Sequence, residues 1–206
     1  MIQTTFVVSG SFQVNCYIVY DSILKKAIII DPGEEVQKVI DKIETLSLKP
    51  ELLINTHGHF DHIFSDDIIR EKYHIPLAIF KDDTGMLLDG NLNFSQYMDK
   101  TVIIKQADII FDKEGIKETS FCKYRVIHTP GHSKGSICIL INNILFSGDT
   151  VFKNSIGRTD LIGGNYNELI QSLDKIKKLP EDIIVYPGHG PFTNLKDEMN
   201  NNPYFK

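Results

Sequence analysis

The stretch NTHGHFDHIF (residues 55–64) follows the apolar run PELLI (residues 50–54) and sets His57, His59, Asp61 and His62 within six positions. Four titratable side chains cannot all point away from one another in so short a loop. They are either solvated one by one or converge on something positive. The same theme recurs along the chain, where YRVIHTPGH runs into His132, ILFSGD into Asp149 and IIVYPGH into His189. Each of these segments reads as a strand that ends in a ligand-type residue. In a sheet protein, residues at the same ends of neighbouring strands lie close in space. Five histidines and two aspartates delivered in that way make a metal site, and their number suffices for two ions. Borderline divalent ions such as Zn²⁺, Fe²⁺ or Mn²⁺ accept imidazole and carboxylate together. Gly58, Gly131, Gly148, Gly188 and Gly190 each stand beside a candidate ligand, where a missing Cβ permits tight turns.

Outward from this motif, FVVSG, NCYIVYD and KKAIIIDPG read as strands, with Asp31-Pro32-Gly33 as the stop of the third. EEVQKVIDKIETLSL carries apolar Val36, Val39, Ile40, Ile43 and Leu46 at helical spacing, with its acids in the first turn. FSDDIIREKYH and YNELIQSLDKIKKLP are further helices, IPLAIF is a strand, and residues 81–100 are a short helix and a long loop. INNI is the tip of a hairpin, and NLKDEMNNNP is a short helix or tail. Antiparallel strands followed by alternating strands and helices predict sheet packed on sheet with helices outside.

Composition sets the frame. The chain has 206 residues, 42% apolar and 24% charged, as expected of one globular domain over residues 1–206. A net charge of −5 opposes a broad nucleic-acid face. Cys16, Cys122 and Cys138 form no C-x-x-C pair, which fits buried thiols in a reducing compartment. No run approaches the roughly 20 apolar residues that span a bilayer, and the N-terminus has no signal-peptide pattern. The expectation is a cytoplasmic protein with neither a membrane nor a nucleic-acid partner. Composition does not address the oligomeric state.

NCYIVYD, IIIDPG, THGHFDHI, HTPGHSKGS, FSGDTVF, SIGRTDLIGG, YPGHGP and NNNPYF together resemble the metallo-β-lactamase superfamily, and within it the glyoxalase II-like (hydroxyacylglutathione hydrolase-like) branch. The resemblance covers nearly the whole chain. It implies an α+β fold, the αββα sandwich of two packed mixed β-sheets with helices on the outer faces. It also implies that His57, His59 and His132 hold one metal, that Asp61, His62 and His189 hold the second, and that Asp149 bridges them. The implied activity is cleavage of a small-molecule acyl thioester, such as S-lactoylglutathione, by hydroxide held between two divalent ions, with Zn²⁺ first and Fe²⁺ or Mn²⁺ as substitutes. Asp61 and Asp149 then carry catalytic roles. Metal lowers the pKa of bound water from about 15.7 toward about 7. A thiolate leaves readily because thiol pKa is about 8.5, so no separate general acid is required.

Lys153, Arg158 and Tyr166 are candidate substrate contacts, with Lys153 or Arg158 reaching for a carboxylate; the plainer reading pairs Arg158 with Asp160. His74 reads as a solvated helix cap, and His128 as a core histidine holding the TPGH turn. The glyoxalase II enzymes that grip glutathione use a basic C-terminal extension, which this sequence does not show. Within the same superfamily the alternatives are a mononuclear iron persulfide dioxygenase, which has a similar GRTD loop, a lactonase, and a lactamase. A nuclease is opposed by charge, and a non-catalytic binding module by the full ligand set.

Overall fold

The protein is described by a computed structural model covering Met1–Lys206. Its first sheet contains β1 (Ile2–Ser9), β2 (Val14–Asp21), β3 (Lys26–Ile30), β4 (Lys49–Ile54), β5 (Leu77–Phe80) and β6 (Ile109–Phe111), side by side in that order. Its second contains β7 (Gly115–Glu118), β8 (Lys123–His128), β9 (Ile137–Ile141) and β10 (Ile144–Gly148). A small hairpin, β11 (Val151–Phe152) with β12 (Ser155–Ile156), intervenes before β13 (Ile184–Pro187) and β14 (Thr193–Asn194) complete the second sheet in the order β14-β13-β10-β9-β8-β7. Both sheets are mixed. β1, β2 and β3 pair antiparallel and β3 to β6 parallel, while β10 and β13 form the parallel pair of the second sheet.

Burial explains the layering. Ile28 and Ile30 of β3 face the second sheet, in one cluster with Tyr17, Ile54, Ile139 and Phe146. Ala27 and Ile29 of the same strand face outward, against Val39 and Ile43 of α1 (Val36–Thr45) and Ile69 of α3 (Asp66–Tyr73). Between those helices lies the single turn α2 (Phe60–Ile63). On the far side, Leu145 and Val185 pack against Leu173 and Ile176 of α4 (Tyr166–Ile176) and Leu195 of α5 (Leu195–Asn201). The result is an αββα sandwich, and continuous apolar runs such as AIII of β3 are what strands buried on both faces require. No helix is long and apolar enough to cross a membrane.

One local reading is corrected. Glu34 and Glu35 are not in the first turn of α1, which starts at Val36. They instead accept the backbone N–H groups of Ser11 and Gly10, tying the β1–β2 turn to the helix entry. The short helix read in the 81–100 segment is a 3₁₀ helix, Lys81–Leu87, followed by a 3₁₀ turn at Ser95–Tyr97. β6 and β7 lie in a stretch whose sequence carries no clear strand signal. Both are edge strands of three or four residues, with Ile110 and Ile116 exposed, so burial imposes little alternation on them.

The topology aims several strands at one edge. β10 runs parallel to β13, and two antiparallel steps through β9 turn β8 the same way. The C-terminal ends of β8, β10 and β13 therefore meet on one side. The end of β4 joins them through the backbone bond from Ile137 N–H to Thr56 carbonyl.

Candidate metal centre

All seven expected ligand residues converge at that edge. Their ligand atoms fall into three overlapping groups: His57, His59 and His132; His57, His62 and Asp149; and Asp61, His62 and His189. His57, His59, His62 and His132 are buried and form the floor, while Asp61, Asp149 and His189 are half-buried and form the mouth. Asp149 stands between the two triads, with Oδ2 at 3.5 Å from His132 Nε2 and 3.6 Å from His189 Nε2, and Oδ1 at 3.6 Å from His62 Nε2. Asp61 Oδ2 lies 3.3 Å from His189 Nε2.

The surroundings settle which ring nitrogens face inward. His132 Nδ1 donates to the Arg158 carbonyl at 2.8 Å, and His189 Nδ1 to the Phe12 carbonyl at 2.9 Å. His62 Nδ1 donates to Asp31 Oδ2 at 3.0 Å. The Thr56 hydroxyl gives its proton to the same carboxylate at 2.6 Å and so accepts from His57 Nδ1 at 3.1 Å. With an outer proton of each of these four rings committed, each Nε2 turns to the centre. Two such nitrogens, of His62 and His189, stand 3.2 Å apart, and that approach is repulsive unless a proton or a cation lies between them. His57 Nε2 and Asp149 Oδ1 are buried without any hydrogen-bond partner in the chain, a costly state for polar atoms that no cation joins.

Electrostatics agree. Burial and the neighbouring imidazoles hold the pKa values of His57 and His59 well below the usual histidine value. Burial also opposes charge on His62, but Asp61, Asp149 and Asp31 outweigh it and raise its pKa to about 10. Against its own burial, Asp61 is lowered by His62 and His189 and stays ionised. Neutral imidazoles at His57 and His59 beside the ionised Asp61 suit a divalent ion, and the carboxylates that hold a proton on His62 would favour a cation in its place.

Tight turns make this convergence possible. Gly148 sits at φ +49 and Gly188 packs directly on Asp149, so a Cβ at Gly188 would overlap Asp149 Oδ1 and His62 Cε1. From the first sheet, Asn15 N–H donates to the Gly188 carbonyl and the Tyr17 hydroxyl to the Pro187 carbonyl, both fastening the His189 turn.

Other sequence candidates fall elsewhere. The Arg158 guanidinium is exposed and forms a two-pronged pair with Asp160, at 2.8 and 2.7 Å; it is the Arg158 carbonyl that supports the site. Lys153 lies exposed in the β11–β12 turn, and Tyr166 is exposed at the start of α4. His74 is the exposed left-handed cap of α3, at φ 53. His128 stacks on Phe80 at 4.1 Å and donates to the Lys134 carbonyl at 2.9 Å, so it braces the turn that carries His132. Two supporting residues were not singled out from the sequence. Asp31, read only as a strand stop, orients His62, and its strand-end position was the available signal. Asp83, within a weakly patterned segment, is buried and accepts from Gly58, Ser133 and Gly135.

Comparison with known proteins defines the class. The family model described as metallo-beta-lactamase superfamily matches residues 9–189, and the chain belongs to that superfamily. It is 36% identical to the probable metallo-hydrolase YqgX of Bacillus subtilis, over 95% of this chain and 93% of that protein. It is 32% identical to the hydroxyacylglutathione hydrolase GloC of Haemophilus influenzae, over 94% and 93%. Among solved structures, the BLEG-1 B3 metallo-beta-lactamase superposes with a TM-score of 0.96 at 36% identity, covering 99% of this chain and 100% of that one. TTHA1623 in a di-iron-bound form superposes with a TM-score of 0.85 at 30% identity, covering 97% and 99%. The protein is thus a metallo-hydrolase of this superfamily with a histidine-rich candidate metal site.

Proposed function

We propose that the protein hydrolyses acyl thioesters, with S-lactoylglutathione as the first substrate to test, using two divalent ions. Zinc is the proposed metal, and iron or manganese would serve the same donors. The observation that carries this reading is the pair of triads meeting at Asp149, in a chain 32% identical over nearly its full length to a hydroxyacylglutathione hydrolase.

Under this proposal His57, His59 and His132 hold one ion, Asp61, His62 and His189 the other, and Asp149 serves both. When bound, the ions lower the pKa of water and polarise the acyl carbonyl. The chain's own residues do the rest. Asp61, held ionised, accepts a hydrogen bond from the attacking water at its free oxygen and orients it. The bonds from His62, His132 and His189 to Asp31, Arg158 and Phe12 fix the rings with their inner nitrogens turned to the centre. No side chain near Asp149 is placed to protonate a poor leaving group, and a thiolate needs none. A cleft of about 240 Å³ opens beside Asp61, walled by Phe12, Phe60, Phe64 and Met98 with Lys100 at its rim. It would take an apolar part of the substrate and exclude water from it. Lys153 and Arg158 are the proposed partners of a substrate carboxylate, and Arg158 must leave Asp160 to serve.

The 36% identity to a B3 metallo-beta-lactamase favours β-lactam hydrolysis as a second reading. Zinc-loaded protein assayed without oxygen on S-lactoylglutathione and on a chromogenic cephalosporin separates the two. Release of free thiol with at most slow cephalosporin turnover is expected. Rapid β-lactam cleavage with inert thioesters would replace the first reading by the second.

A further inference from the structure

One buried carboxylate joins two ligand-bearing turns without touching a ligand. Asp83, 1% exposed, follows β5 at the start of a 3₁₀ turn. Its Oδ2 accepts the Gly58 N–H at 3.0 Å and the Ser133 hydroxyl at 2.6 Å, and its Oδ1 accepts the Gly135 N–H at 2.6 Å. Gly58 lies between His57 and His59, and Ser133 follows His132. The contacts are too close for other residues, since a Cβ at Gly135 would overlap the Asp83 carboxyl. No cation pairs with Asp83. A buried carboxylate with three neutral donors is retained at a desolvation cost, which the fixed geometry of those donors offsets.

The reach of Asp83 is one-sided. It binds both turns of the His57, His59 and His132 triad and neither α2 nor the His189 turn. The other triad is braced by the Phe12 carbonyl on His189 and by Asp31 on His62, and Asp31 also reaches His57 through the Thr56 hydroxyl. We infer that Asp83 is the positioning residue of the His57–His59–His132 subsite, holding its two turns in register and setting the metal affinity of that subsite apart from the other. This inference rests on the proposal that the site takes divalent ions.

Asp83→Asn is the informative change. An amide has one acceptor oxygen, so whichever way it turns, either Gly58 or Gly135 faces an N–H₂ and loses its partner. Loss of an outer hydrogen bond to a metal site weakens binding by about 10–100-fold. The test is a Zn²⁺ titration of metal-free, histidine-labelled protein, read from the ring signals of individual histidines by NMR. In the wild type all five candidate ligand rings are expected to shift, at two equivalents. In Asp83→Asn, His62 and His189 should respond as before, while His57, His59 and His132 should need about 10–100-fold more zinc. Ser133→Ala, which removes one donor and leaves both glycine bonds, should shift the same three rings by a smaller factor, and it serves if Asp83→Asn does not fold. A purely structural role would move all five rings together or only the melting temperature, and that outcome overturns the inference, as does wild-type zinc binding in both variants. A wild type in which no ring responds to zinc would instead overturn the metal proposal, and this inference with it.

Discussion

At the scale of the residue, the weight of the centre falls on Asp149, the one carboxylate within reach of both triads. Asp149→Ala should abolish turnover and lower metal content while leaving the fold intact, because the side chain is half-buried at the mouth and fills no core. His74→Ala should change stability by no more than about 0.5 kcal/mol, since the cap is exposed and both residues carry a Cβ in the left-handed region. Equal damage from the two changes, read as metal content and activity, would show that the ligands are misassigned. Asp31→Asn should weaken metal binding by about 10–100-fold, because one of its oxygens receives both His62 and the Thr56 hydroxyl; calorimetric zinc titration measures it. The convergence of the seven candidate ligands was legible in the sequence because each follows a strand end, directly or within a short turn, and the order of strand ends is readable. The supports were not. Asp83 reaches Gly58 across 25 positions and Gly135 across 52, and no local pattern encodes such a contact.

At the scale of the element, legibility followed burial. α4 was plain from Leu169, Leu173 and Ile176, which are all buried on one face, and its start is capped by Asn165 accepting from Asn167 and Glu168. β2, β3 and β4 were plain from the apolar runs CYIVY, AIII and LLI, which are continuous because both faces are covered there. β6 and β7 were not, since edge strands with exposed side chains have little pattern to show. The single turn of α2 was hidden inside the ligand motif itself. The same contrast should appear in stability. Phe146→Ala in β10, fully buried between the sheets, should cost about 3–5 kcal/mol. Ile116→Ala on edge strand β7, 72% exposed, should stay within about 0.5 kcal/mol. Urea denaturation of the two variants checks both values.

At the scale of the whole molecule, the metal centre is also a joint between the two sheets. Its ligands come from the ends of strands in both, and the β2 residues Asn15 and Tyr17 hold the His189 turn of the other sheet. Ions bound there should therefore stabilise the fold, by about 2.7 kcal/mol at a hundredfold excess over the dissociation constant. A chelator should lower the melting temperature accordingly. Acid should act in the same direction. Ligation needs neutral imidazoles, so protons compete with the ions, first at His62, whose pKa is raised to about 10, and the stabilisation declines as pH falls below that value. The claim on which the rest depends is that two triads sharing Asp149 hold two ions. Elemental analysis of purified protein after saturation with Zn²⁺, Fe²⁺ or Mn²⁺ tests it directly. Two ions per chain are expected with at least one of these metals, and a stoichiometry fixed near one under all three would contradict the account.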